Sequence, residues 1–87
     1  TRLESGSSAS ERVDSLVALV FHLSRSQAQR LIEQEKVFAD GRIITSSSYT
    51  PSQEERISVR GHGKFRYLGT DKTTRKGRLI VRFERYI

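Results

Sequence analysis

Between Ser24 and Arg42 the chain sets out side chains that could grip a polyanion: Ser24, Arg25, Ser26, Gln29, Arg30, Lys36 and Arg42. An arginine presents a planar fork to two phosphate oxygens. A helix start adds free backbone amides and the positive end of the dipole, beside any serine hydroxyl placed there. Arg25 and Gln29 are four apart and so adjacent on a helix surface. Lys36 falls near the same line if the helical phase persists that far, and Ser26, Arg30 and Glu33 make the next row outward. This is chemistry of contact, not of bond-making. No two carboxylates have an evident shared site, and neither His22 nor His62 has a Ser, Cys or Asp partner at a suggestive spacing. Gly61-His62-Gly63 is too short for a phosphate-cradling loop and lacks the strand–loop–helix context. With no cysteine and no cluster of His and carboxylates, neither catalysis, a metal, a cofactor nor a small-molecule substrate is expected.

The elements that must position these groups can be read from period and capping. Ser24 followed three residues later by Gln27 fits a capping box, and Ala28, Leu31 and Ile32 give that helix its apolar stripe. Lys36 to Ala39 alternates as a strand, with Val37 and Ala39 toward the core and Phe38 away from it. An outward Phe can stack on a base or pack beneath a loop. Asp40-Gly41 is a type I′ hairpin turn, returning as a short strand from Arg42 to Thr45. An earlier helix begins between Ser10 and Arg12 and runs to about Leu23, with Val13, Leu16, Val17, Val20 and Leu23 on one face and Asp14 suiting its positive end. So short a break before Ser24 makes the two helices share a seam. His22 reads as an ordinary surface histidine.

Ser46 to Glu55 is a loop, Arg56 to Arg60 a further strand, and Lys64–Leu68 with Arg78–Tyr86 a hairpin around a polar loop from Thr70 to Gly77. Phe65, Tyr67, Leu79, Val81 and Phe83 share one face of that hairpin; Arg66, Arg78, Arg82 and Glu84 share the other. Residues 1–10, rich in Ser and without periodicity, read as a flexible linker or domain edge. Residues 11–87 read as one domain, with any further domain of a longer protein lying before the linker.

Charge separates the two halves. Residues 1–44 carry six basic and six acidic side chains, whereas residues 45–87 carry ten and four, so the second half holds the whole net charge of +6. A basic half beside a neutral one suits a polyanion, although the same charges also keep a small β-rich domain soluble. No apolar run approaches the roughly 20 residues that span a bilayer, so no membrane partner is expected. Lys72, Arg75, Lys76 and Arg78 in the tail loop form either a second phosphate-tracking patch or simply a solvated turn.

Laid out in order, these pieces resemble the ribosomal protein S-four type RNA-binding domain, or alpha-L RNA-binding motif. The resemblance is carried by Arg12-Val13-Asp14 with Leu16, Ser24-Arg25-Ser26-Gln27-Ala28, Leu31-Ile32, Lys36-Val37-Phe38-Ala39-Asp40-Gly41 and Ile57-Ser58-Val59-Arg60-Gly61. Arg60 to Phe65 and the basic hairpin after it are similar to the C-terminal module of YlmH-type proteins. The family implies an α+β fold: two short N-terminal helices packed on a small, mostly antiparallel sheet with a C-terminal β-hairpin. It implies a noncatalytic module that binds structured ribosomal RNA or transfer RNA by backbone and shape. Arg12, Ser24, Arg25, Ser26, Gln29, Lys36 and Arg60 would carry that contact. The large ribosomal subunit is the implied partner, in the cytoplasm or plastid stroma. Two alternatives accompany it, the targeting domain of a pseudouridine synthase or methyltransferase and a basic protein-interaction module. The chain departs from the family in having Glu35 and Glu54 where glycine is usual, and Asp40 where Asn is common.

Overall fold

Val13, Leu16, Val17 and Val20 recur at spacings of three and four. In the computed structural model, which describes residues 1–86, they form the buried stripe of helix α1 (Val13–Phe21). The helix ends before Leu23 because His22 turns left-handed (φ 57°) and the Leu23 amide returns to the Ala18 carbonyl at 2.9 Å. Helix α2 (Arg25–Glu33) follows at once, with Ser24 as its cap. The Gln27 amide donates to Ser24 Oγ at 3.0 Å and the Ser24 amide to Gln27 Oε1 at 2.9 Å, so both halves of the capping box are made. Ala28 and Ile32 are buried, and Leu31 packs half-buried against the same core.

The end of α2 explains how the chain manages without the family's glycine. The Lys36 amide donates to the Leu31 carbonyl and the Glu35 amide to that of Ile32, each at 3.0 Å. These two bonds make a Schellman cap, whose turning residue must be left-handed. Glu35 occupies that position at φ 60°. Glu54, the other departure, is also left-handed at φ 71°. Both positions keep the glycine conformation without the glycine.

Among the described residues the strands are β1 (Arg2–Ser8), β2 (Val37–Ala39), β3 (Arg42–Ile43), β4 (Arg56–Val59), β5 (Gly63–Thr73) and β6 (Leu79–Arg85). They form one antiparallel sheet in the order β1-β6-β5-β4-β2-β3. The expectation of an α+β fold with two short helices on such a sheet is met. Val37, Ala39, Ile57, Val59, Phe65, Tyr67, Val81 and Phe83 point inward and are buried against α1 and α2. Among the described residues no helix covers the opposite face.

Two expectations need correction. Residues 1–10 are not a flexible linker: Arg2–Ser8 is edge strand β1, paired along its length with β6. It was invisible as a strand because its inward residues are Glu4, Gly6 and Ser8, so no apolar alternation marks it. Gly6 is needed for close approach, since a Cβ there would lie 3.0 Å from Leu19 Cδ1 of α1. Glu4 is clamped by Arg85, whose guanidinium makes bonds of 2.7 and 3.2 Å to its carboxylate and a third to the Val20 carbonyl at 2.7 Å. That third bond ties the sheet edge to the C-terminal turn of α1. The tail loop is also shorter than expected. β5 continues to Thr73 through two register shifts, near Gly69 and before Lys72, leaving Thr74–Arg78 as the turn.

Candidate nucleic-acid interface

Asp14 lies in the first turn of α1 and is fully buried, 0% exposed. Its carboxylate is the hub of the predicted site. Oδ1 accepts from the Ser15 amide at 2.8 Å and from Arg12 Nε at 3.2 Å. Oδ2 accepts from Arg12 Nη2 at 3.0 Å, Arg25 Nη2 at 3.3 Å and Gln29 Nε2 at 2.9 Å. Three side chains, one from the residue capping α1 and two from α2, therefore converge on one carboxylate. The i, i+4 spacing of Arg25 and Gln29 is what lets both reach it.

Burial pushes the Asp14 carboxyl up, but the hydrogen bonds from Gln29, Arg25 and Arg12, with the Arg12 charge, outweigh it and hold the group below its ordinary value. It stays charged at neutral pH. Two guanidinium ions against one carboxylate leave a net positive group. The guanidinium side chains are 39% and 50% exposed for Arg12 and Arg25, so each keeps donors facing solvent. A buried anion thus fixes the position of an exposed cationic surface.

The two helix starts differ in what they offer. At α1 the amides of Val13 and Asp14 donate to the carbonyls of Tyr49 and Ser47 at 2.7 and 3.4 Å, so the loop after β3 occupies that end. Glu55 holds this loop in place, accepting from the Tyr49 hydroxyl and from the Ser52 amide. At α2 the capping box takes the Gln27 amide, and Ala28 donates to the Ser24 carbonyl at 3.0 Å. The Arg25 and Ser26 amides are then the donors that α2 itself leaves unsatisfied. Both residues are exposed, as is Ser24, whose hydroxyl is committed to the cap.

The remaining predicted residues do not all join this group. Lys36 is half-buried at the corner between α2 and β2, and since α2 stops at Glu33 it leaves the helical line of Arg25 and Gln29. Its carbonyl accepts the Arg60 amide at 2.8 Å. The Arg60 side chain lies on the uncovered sheet face, with its guanidinium 5.6 Å from the centre of the Phe38 ring. Arg30 is exposed in the last turn of α2, and Arg42 stands 3.9 Å from Glu55. In the tail, Arg75 and Lys76 are exposed at the turn and Lys72 is exposed on β5. Arg78 folds back to β1 instead, donating to Ser7 Oγ and the Ser7 carbonyl at 2.8 and 3.1 Å. Sequence reasoning placed Asp14 at the positive end of the helix dipole. What it missed was that Arg12, Arg25 and Gln29 all meet there.

Among the described residues no group of His, Cys, Asp and Glu side chains is placed to hold a metal ion, and no helix is long and apolar enough to cross a membrane. The family model for the S4 domain matches residues 11–57. Ribosome-associated protein quality control protein P2 of Bacillus subtilis (strain 168) is 27% identical over 77 residues, which are 88% of this chain and 30% of that protein. The crystal structure of a pseudouridylate synthase superposes with a TM-score of 0.56 at 34% identity, covering 75% of this chain and 26% of that one. The chain thus spans less than a third of either relative.

Proposed function

We propose, on the premise that this chain belongs to the S4 domain family of RNA-binding modules, that it targets a larger ribosome-associated protein to structured RNA. The RNA is ribosomal or transfer RNA on the large subunit, in the cytoplasm or plastid stroma. The observation that carries this reading is the Asp14 hub, which holds Arg12, Arg25 and Gln29 in one fixed, solvent-facing group. A-form RNA displays phosphates and 2′-hydroxyls, not a readable major groove, so a rigid cationic surface recognises it by shape. Arg12 and Arg25 contact phosphates, Gln29 a sugar or phosphate oxygen, and the Arg25 and Ser26 amides a phosphate at the start of α2. Lys36 extends the contact around the corner. Arg60, on the other sheet face, is separate from this grip. The similarity to a ribosome-associated quality-control protein supports the ribosomal setting.

The likeness to a pseudouridylate synthase favours a second reading, in which the same module delivers an RNA-modifying domain to its substrate. In both readings this domain itself does no chemistry. Titration of a short RNA hairpin at several salt concentrations tests the common part. Binding through Z phosphates predicts log K falling against log salt with a slope of roughly −0.7Z to −0.9Z, shallower for Arg25→Ala and Lys36→Ala. Affinity insensitive to salt, or unchanged by both substitutions, would remove the site.

A further inference from the structure

We infer that the uncovered face of the sheet is a second RNA surface, one that takes unpaired nucleotides. The inference rests on the RNA-binding reading above but on different residues. Cross-strand pairing puts Ile43, Phe38, Ser58 and Lys64 in one row across β3, β2, β4 and β5. Tyr86 continues the row, its amide donating to the Lys64 carbonyl at 3.1 Å. The row carries two cation–aromatic pairs. Arg60 lies 5.6 Å from the Phe38 ring centre, and Lys64 Nζ lies 5.9 Å from that of Tyr86. A second row runs through Arg56, Arg66, Glu84 and Leu3. Arg66 is neutralised there by Glu84 at 2.7 Å and Glu54 at 3.8 Å, while among the described residues the Arg56 guanidinium makes no ion pair. Arg82 follows two residues along β6, beside a shallow depression lined by Leu3, Ser5 and Leu68.

Charge and shape together select the occupant. Arg56, Arg60, Lys64 and Arg82 are exposed on this face, whereas the carboxylates of Glu84 and Glu54 stand against Arg66 at 2.7 and 3.8 Å and Asp71 is exposed toward the far end of β5. Water still reaches large apolar groups, with Leu3 73% and Ile43 47% exposed. Flat aromatic rings interleaved with cations are the platform on which single-stranded bases stack while the backbone follows the charge. A duplex hides its bases and could use only the cations. Residues two apart on a strand are about 7 Å apart, so the arginines flanking the aromatic row lie within a nucleotide's reach of it.

The test measures the full-length protein against two probes, a single-stranded oligouridylate of about eight nucleotides and an RNA hairpin without unpaired ends. Phe38→Leu with Tyr86→Leu keeps apolar volume but removes both rings. It is expected to weaken oligouridylate binding by about tenfold and to change hairpin affinity less than twofold. Arg60→Gln with Lys64→Gln is expected to reduce the oligouridylate salt slope by about 0.7 per lost cation. Crosslinking of 4-thiouridine in the oligomer should map to Phe38, Tyr86 or their strand neighbours. Oligouridylate binding that survives the Leu pair overturns the inference, as does crosslinking confined to α1 and α2. Hairpin binding with no oligouridylate binding overturns this inference alone, whereas failure to bind either RNA overturns the functional reading as well. Binding of an acidic protein to this face in place of oligouridylate also overturns it.

Discussion

Glu35 sits in a left-handed turn where a side chain is opposed by its own backbone, and the cap around it is otherwise complete. Glu35→Gly should therefore raise stability by about 1 kcal/mol, less whatever glycine adds to the entropy of the unfolded chain. Urea denaturation would measure it, and a loss of stability would mean that Glu35 is not strained. The sequence offered Glu35 only as a missing glycine; that the backbone keeps its conformation depends on the Leu31 and Ile32 carbonyls, which no local pattern displays. The proposed binding residues were legible to different degrees. Arg25 and Gln29 could be paired by their spacing, whereas Arg12 reaches them only through Asp14. Arg60 was placed with them by the family resemblance, but strand alternation sends its side chain to the other face. Arg25→Ala leaves Asp14 with Arg12 and Gln29, so it should weaken hairpin RNA binding by about threefold to tenfold through one lost phosphate contact, with little change in thermal stability.

At the scale of elements, the helices and the inner strands were legible because their apolar residues follow periods of 3.6 and 2. The capping box and the Asp-Gly turn marked two boundaries to within a residue. Strand β1 was not legible, since polar Glu4, Gly6 and Ser8 occupy its inner face and its attachment depends on Arg85, 81 residues away from Glu4. The Arg85 hydrogen bonds hold the Glu4 carboxyl down to about 2, against an ordinary value of 4.5, overcoming the opposing effect of burial. A carboxylate depressed in this way stabilises the fold fully above pH 4.5 and loses that contribution as the pH falls toward 2. Hydrogen exchange of the Arg2–Ser8 amides should accordingly quicken on acidification relative to the chemical rate. Glu4→Gln should produce the same loosening at neutral pH, and protection that is independent of both would contradict the clamp. Gly6→Val should release β1 as well, by driving a branched side chain into Leu19 of α1.

Across the whole molecule the charge excess and the organised site lie in different halves. The Asp14 hub is built from the electrically neutral first half, while the surplus of cations sits on β4–β6 and the tail turn. Net charge alone would therefore have pointed away from the helices, to which the side-chain spacing and the family resemblance pointed. A protein whose affinity came merely from total charge would respond to every lost cation alike and would gain from every lost carboxylate. Asp14→Asn separates that behaviour from a prearranged grip. The substitution makes the protein one charge more positive, yet it frees Arg12, Arg25 and Gln29 from the group that positions them. The decisive measurement is hairpin RNA affinity of Asp14→Asn at fixed salt, with circular dichroism and a thermal melt confirming that the variant is folded. The expected result is binding weakened by about tenfold, the cost of ordering those side chains only on contact. Unchanged or tighter binding by the folded variant would contradict the account.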